Sequence, residues 1–119
     1  MKTRGELRTE FYNALNTALS GTADVYWLGN ETKKPYPQVV YKFFDQSGEY
    51  SQGKVLSAET IIFQVDIYVD NSSDMDAIYE LIKGALVPLC YRNINGPIEF
   101  IDESTTKIIR PIRWEKINV

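Results

Sequence analysis

The sequence predicts an α+β domain of element order α-β-β-β-α-β-β, a twisted, mainly antiparallel sheet with two helices packed on one face. Three observations predict it. Two separate stretches carry apolar residues at the three-four spacing of a helical face. A run between them alternates apolar and polar residues, as a half-buried strand does. Gly, Pro, Asn and Ser punctuate the boundaries. Elements that are each greasy on one side bury that side by layering, here helices on sheet.

In chain order, Glu6 to Leu19 is the first helix: Leu7, Phe11, Ala14, Leu15, Ala18 and Leu19 share one face, while Arg8, Glu10, Asn13 and Asn16 fall elsewhere. Thr3 or Gly5 begins it and Ser20-Gly21 stops it. Val25 to Leu28 is a short β-prone run closed by Gly29-Asn30, and Glu31 to Pro37 is a loop held extended by Pro35 and Pro37. Gln38 to Asp45 reads as a strand. Gln46 to Lys54 reads as a polar loop with two glycines, long for a hairpin connection and so expected to be either a free tip or an arm that orders against a partner.

Ala58 to Asp70 is the strongest strand. Ile61, Phe63, Val65, Ile67 and Val69 take one side, and Thr60, Ile62, Gln64, Asp66, Tyr68 and Asp70 the other. Ser72 or Ser73 is the expected N-cap of the second helix, with Asp74 and Asp76 at its positive end. Its apolar face is Met75, Ile78, Tyr79, Ile82, Ala85, Leu86 and Leu89, and Pro88 ends it. After a turn at Asn93 to Pro97 come a short strand, Ile98 to Asp102, and a last one, Lys107 to Ile117. Pro111 places that last strand at a sheet edge or on a bulge, because proline donates no ladder hydrogen bond.

The 119 residues support one domain spanning residues 1–119. An apolar share of 44% and a charged share of 24% are those of a globular protein. Cys90 is the single cysteine, lies in an apolar stretch, and is expected in or near the core. A chain without disulfides suits a reducing compartment. No apolar h-region follows Met1-Lys2-Thr3-Arg4, and no run approaches the ~20 residues of a membrane span. The chain is therefore expected to be soluble, with no membrane partner. Net charge is −3, and residues 58–88 hold six acids against one base. No basic stripe is available to neutralise a row of phosphates, so sequence-specific nucleic-acid binding is not expected.

The candidate chemistry is sparse. With no histidine and one cysteine, the chain lacks the commonest general base and any structural zinc ligand set. No nucleophile elbow or phosphate-binding glycine loop occurs. Asp66, Asp70, Asp74 and Asp76 suggest a magnesium or calcium site, but no Gly and Glu follow Asp70 to Asp76 to complete a calcium loop. Capping and solvation account for them. The expectation is a non-enzymatic protein with no catalytic, metal or cofactor residue. Asp66 stands out because it is mid-strand. Either it faces water beside Gln64 and Tyr68, or it is buried and paired with a base such as Arg110 or Arg113. Val40, Phe44, Ile62 and Tyr68 share its face if the strands pair in register, and a contiguous apolar patch there would mark a contact surface.

Two segments carry a resemblance: Pro35-Tyr36-Pro37-Gln38-Val39-Val40-Tyr41, behind the N-terminal amphipathic helix, and Phe63-Gln64-Val65-Asp66-Ile67-Tyr68, running into the second one. In this order they resemble the family of small phage tail terminator, or tail completion, proteins. The similarity spans nearly the whole chain, except that Arg110 to Trp114 matches only in being a strand. The resemblance implies a structural virion assembly protein of phage or prophage origin. It implies a ring, typically a hexamer, that caps the tail tube protein and meets the head-side connector, assembled in the host cytoplasm and retained in the virion tail. DNA would pass through the ring without being read. The surfaces expected to make these contacts are the 46–54 loop (Gly48, Tyr50, Gly53 and Lys54), the outer strand face (Ile62, Gln64, Asp66 and Tyr68) and the last strand (Arg110 and Arg113). A competing expectation is another phage or bacterial interaction module, a neck or adaptor protein, on the same scaffold.

Overall fold

A computed structural model describes residues 2–28, 37–50, 56–96, 99–102 and 107–118. Helix α1 spans Arg4–Ala18 and starts two residues before the expected Glu6. The reason is a capping box: Thr3 Oγ1 accepts from Glu6 N at 3.2 Å, and Thr3 N donates to Glu6 Oε1 at 3.1 Å. These bonds from Thr3 hold the Glu6 carboxyl below the usual carboxylate range. Leu7, Phe11, Leu15 and Leu19 are fully buried, and the chain leaves the helix through Gly21, whose φ of 76° only glycine adopts freely.

Strand β1 (Asp24–Trp27) pairs in parallel with β2 (Gln38–Tyr50), which forms an antiparallel hairpin with β3 (Leu56–Val69). The expected polar loop from 46 is therefore strand as far as Tyr50. Its backbone pairs with Leu56–Ile61, and those ladder bonds outweigh the weak β-propensity of Gln, Ser, Gly and Glu. An irregularity between Phe43 and Asp45 inserts Phe44 as an extra residue. Gly53 and Lys54, like Pro35, Tyr36 and Ile98, lie outside the described residues.

Helix α2 spans Ser72–Leu86. Its N-cap is Asn71, not either serine: Asn71 Oδ1 accepts from Asp74 N at 3.0 Å, and Ser73 Oγ donates to the same oxygen. A 3₁₀ turn over Val87–Leu89, with Pro88 inside it, ends the helix. Cys90 closes that turn with a left-handed φ of 70°, which turns its side chain out to solvent while Tyr91 next to it is buried. The expectation of a core cysteine is thus corrected.

Strands β4 (Arg92–Asn93) and β5 (Phe100–Asp102) both pair antiparallel with β6 (Lys107–Asn118). The order across the sheet is β1-β2-β3-β6-β4, with β5 also on β6. All pairs but the first are antiparallel, and both helices cover one face. The class and layering are those the sequence predicts, with the small strand β4 added where a turn was expected. The last strand is not an edge. Pro111 sits inside the sheet opposite Asp66, in the gap that β4 and β5 leave on the other side of β6. In that gap Asn95 substitutes for a strand: its Nδ2 donates to Pro111 O at 3.1 Å, and its Oδ1 accepts from Arg113 N at 2.8 Å. The N of a strand residue points the same way as its own O, so the donor Pro111 lacks is missing from the gap and not from the β3 ladder.

The core lies between the helices and the sheet face carrying Val39, Tyr41, Ile61, Phe63, Val65, Ile67, Ile112 and Trp114. Phe63 stacks between Phe11 and Phe43, with ring centroids 4.0 and 4.5 Å away. The molecule measures 53 × 25 × 25 Å, and its radius of gyration of 15.3 Å exceeds the about 13.5 Å of a compact chain this long. The β2–β3 hairpin contributes to this length, since β3 has β6 beside it only from Glu59 onward.

Candidate functional site: the open face of the sheet

Alternation along β3 sends its even-numbered residues away from the helices, and the register places partners beside them. One cross-strand row is Lys42, Gln64 and Arg113; the next is Tyr26, Val40, Asp66 and Pro111; a third is Gln38, Tyr68 and Ile109. Ile62 lies between Asp45 and Glu115. The expected outer-face residues Ile62, Gln64, Asp66 and Tyr68 are thus together on one surface, with Val40 among them.

A chain of side-chain contacts crosses this face. Arg113 stacks over Phe44, its Cζ 3.8 Å from the ring centre. Arg113 Nε donates to Gln64 Oε1 at 3.4 Å, and Gln64 Nε2 donates to Asp66 Oδ1 at 2.9 Å. Burial pushes the Asp66 carboxyl above its ordinary 3.8, while the Gln64 bond and the charge of Lys42 act the other way. Asp66 therefore stands between the two expected states: half-buried on the outer face, and linked to Arg113 through an amide. Gln38, Val40 and Ile109 are buried on the same face, whereas Phe44 and Ile117 are exposed. The face is mixed, as the alternation predicts.

Arg110 is not part of it. It projects from the opposite side of β6, under α2, where its guanidinium bonds Asp76 at 3.1 Å and also Glu99, beside the Tyr79 ring. Even and odd positions of one strand cannot serve one face, so pairing of Arg110 with Asp66 is excluded. Gly48 and Tyr50 lie in the outer part of β2, next to Glu59 and Leu56 of β3. The acids that suggested a cation loop are dispersed: Asp70 pairs with Lys107, Asp74 with the Asn71 cap, and Asp76 with Arg110. Among the described residues no group of three or more His, Cys, Asp or Glu is gathered for a metal ion, and no helix is long and apolar enough to cross a membrane.

Set beside known proteins, the chain matches no family model, and no curated protein matches it in sequence.

Two features escaped sequence reading. One is Asn95, a turn residue whose side chain completes the sheet. The other is the row Arg4, Arg8 and Tyr12 on the flank of α1. Arg4 lies over Phe43 at 4.4 Å and Arg8 over Trp27 at 3.8 Å, and neither pairs with a carboxylate among the described residues. The four-residue spacing of the row is visible in the sequence, but what lies beneath it depends on where β1 and β2 pack. A shallow groove of about 750 Å³ runs along the outer side of the helix pair, over Ala14, Ala18, Leu81, Gly84, Ala85 and Leu89.

Proposed function

We propose that this chain is a non-enzymatic structural protein of a phage tail, which caps the tail tube as a ring and helps join tail to head. The observation that carries the reading is the order of its two recognisable segments: a proline-bounded strand, now β2, and the strand Phe63 to Tyr68, which passes through a polar cap into α2. The fold gives these segments a shape suited to the task. Helices close one side of the sheet, and the other side presents half-buried polar groups and exposed Phe44 and Ile117 beside buried Gln38, Val40 and Ile109. The polar chain on that face is built for positioning. Asp66 is held by an amide on an open sheet, and its contacts are those of an interface residue rather than of an acid aimed into a cavity.

Ring formation is heterologous packing closed by rotation. On this reading the outer face and the β2–β3 hairpin meet copies of the chain, the tube protein and the connector, and DNA passes through without base contacts. Deleting the gene in a producing lysogen tests the proposal. Overlong or headless tails, restored to normal by the intact gene, are the expected result; normal virions from the deletion strain would sink it.

A further inference from the structure

The outer surface of the helix layer is poor in charge. From Phe11 to Ala23 the sequence has no charged residue, so the second half of α1 shows solvent only Tyr12, Asn13, Asn16 and Thr17. Along α2 and the turn that ends it, the exposed residues Ala77, Leu81, Gly84 and Pro88 recur at spacings of four, three and four. That is the seam spacing of paired helices, on the side of α2 away from its buried face. Leu81 is 40% exposed, and Val87 beside the stripe is 51% exposed. The shallow groove lies between this stripe and α1. Loss of charge around apolar residues is the composition of an interface core.

Gly84 points the same way. It sits inside α2, where glycine costs about 1 kcal/mol relative to alanine. Its φ is not positive, and an added Cβ would meet no atom of this chain within 4 Å. Neither its backbone nor its neighbours within the chain require glycine. A second helix crossing there does, because the missing Cβ lets two backbones come close.

Charge selects the occupant. Of the charged residues flanking the stripe and the groove, Glu10 is held by Lys2 and Lys116, Asp74 by the Asn71 cap and Asp76 by Arg110. That leaves Glu80 and Lys83, opposite in sign and without an ion pair among the described residues. A rim of one sign would select a partner of the other. A rim of one acid and one base complements itself when it meets its own copy turned end for end.

We infer that two copies of this chain pair across their helix layers by a two-fold contact, with α2 antiparallel to α2 of the second copy. A crossing level with Ile82 sets Gly84 of one copy against Glu80 of the other and Ala77 against Val87. Lys83 then stands beside Glu80 of the second copy, and every contact occurs twice. The two Leu81 side chains meet over the joined grooves. Both helices are 15 residues long; they present a face of about 22 by 20 Å, or roughly 900 Å² for the two copies together. That is the small end of specific interfaces, so the dimer forms at high concentration and parts on dilution. The contact leaves the open face of the sheet and the hairpin uncovered, and it stands or falls separately from the ring reading.

Analytical ultracentrifugation of the full chain in a Cys90→Ser background, over a concentration series, tests the pairing. The parent should pass from monomer to dimer below about 1 mM. Glu80→Lys or Lys83→Glu sets like charges together at both ends of the contact and should weaken the dimer about tenfold. The double variant Glu80→Lys/Lys83→Glu should restore it. Leu81→Cys, close to the two-fold, should form a disulfide dimer with itself under mild oxidation, and the yield should fall and recover with the same charge variants. All the altered side chains are exposed, and unchanged melting temperatures check that the variants are folded. A chain that stays monomeric at about 1 mM overturns the inference and leaves the groove to a different protein. So does an assembly whose strength ignores the single charge variants, or one that the double variant fails to restore. A charge-dependent dimer together with normal virions from the deletion strain keeps the two-fold and removes the tail assignment. Rings that form without a Leu81→Cys cross-link do the reverse.

Discussion

Asp66 is held on the open face at a cost that depends on pH. Its folded pKa lies above 3.8 because burial disfavours the charged form. A carboxyl raised in this way adds stability when protonated and loses that contribution as pH rises through its folded value. At neutral pH the ionised form is a burden that Gln64 and Lys42 only partly relieve. Asp66→Asn keeps an acceptor for Gln64 Nε2 and removes the charge. The expected result is a variant at least as stable as the parent at pH 7, with the difference shrinking as pH falls towards 3.8, read from urea melts at both ends of that range. A variant clearly less stable at pH 7 would mean that the charge itself is used, by Lys42 or by a partner. The sequence marked Asp66 as unusual from its mid-strand position alone, but its state was not legible. That state depends on Gln64 being two residues away on the same face and on Arg113 arriving from a strand 47 positions later.

At the level of elements, both helices and the alternation of β3 were legible because each is set by its own apolar pattern. Ile61 to Val69 on one side and Met75 to Leu86 on the other are buried as their spacing predicts. The extension of β2 to Tyr50 was not, because polar residues pair into a ladder on backbone bonds that leave no trace in hydropathy. The position of β6 was misread for a different reason. Proline excludes a ladder donor, yet only on the side its nitrogen faces, and here that side is closed by Asn95. Two substitutions separate these terms. Asn95→Ala removes two bonds from a half-buried segment and should cost about 1–3 kcal/mol. Pro111→Ala restores an N–H facing the gap and should stay within about 1 kcal/mol of the parent. The α2 cap gives a similar contrast: Asn71→Ala should cost about 1 kcal/mol, and Ser73→Ala less than about 0.5 kcal/mol. Denaturant melts of the four variants check all of this, and the serine proving the costlier of the two cap changes would restore the sequence-based cap.

For the whole molecule, the decisive asymmetry is between a closed side and an open side and, within the open side, between a supported sheet and a hairpin that runs past it. The core ends near Ile61, where Asn118 donates to Glu59 and also bonds the Lys2 backbone. Beyond that rung, among the described residues, β2 and β3 pair only with each other. The two parts should therefore respond differently to change. Phe63→Ala, between Phe11 and Phe43, should cost about 3–5 kcal/mol and leave little folded protein. Replacing residues 49–58 with an Asn-Gly turn joins Gly48 to Glu59, residues that are already paired, through the two-residue connection antiparallel strands prefer. No residue of the buried core cluster is removed. The shortened chain should melt within about 1 kcal/mol of the parent, because what it loses is a two-strand ribbon of marginal stability. If the hairpin is an arm that engages the tail tube or the connector, a lysogen carrying the shortened gene should produce overlong or headless tails although the protein is folded and abundant. Full rescue of normal virions by the shortened gene would remove the hairpin from the contact surfaces and leave the outer sheet face to carry assembly.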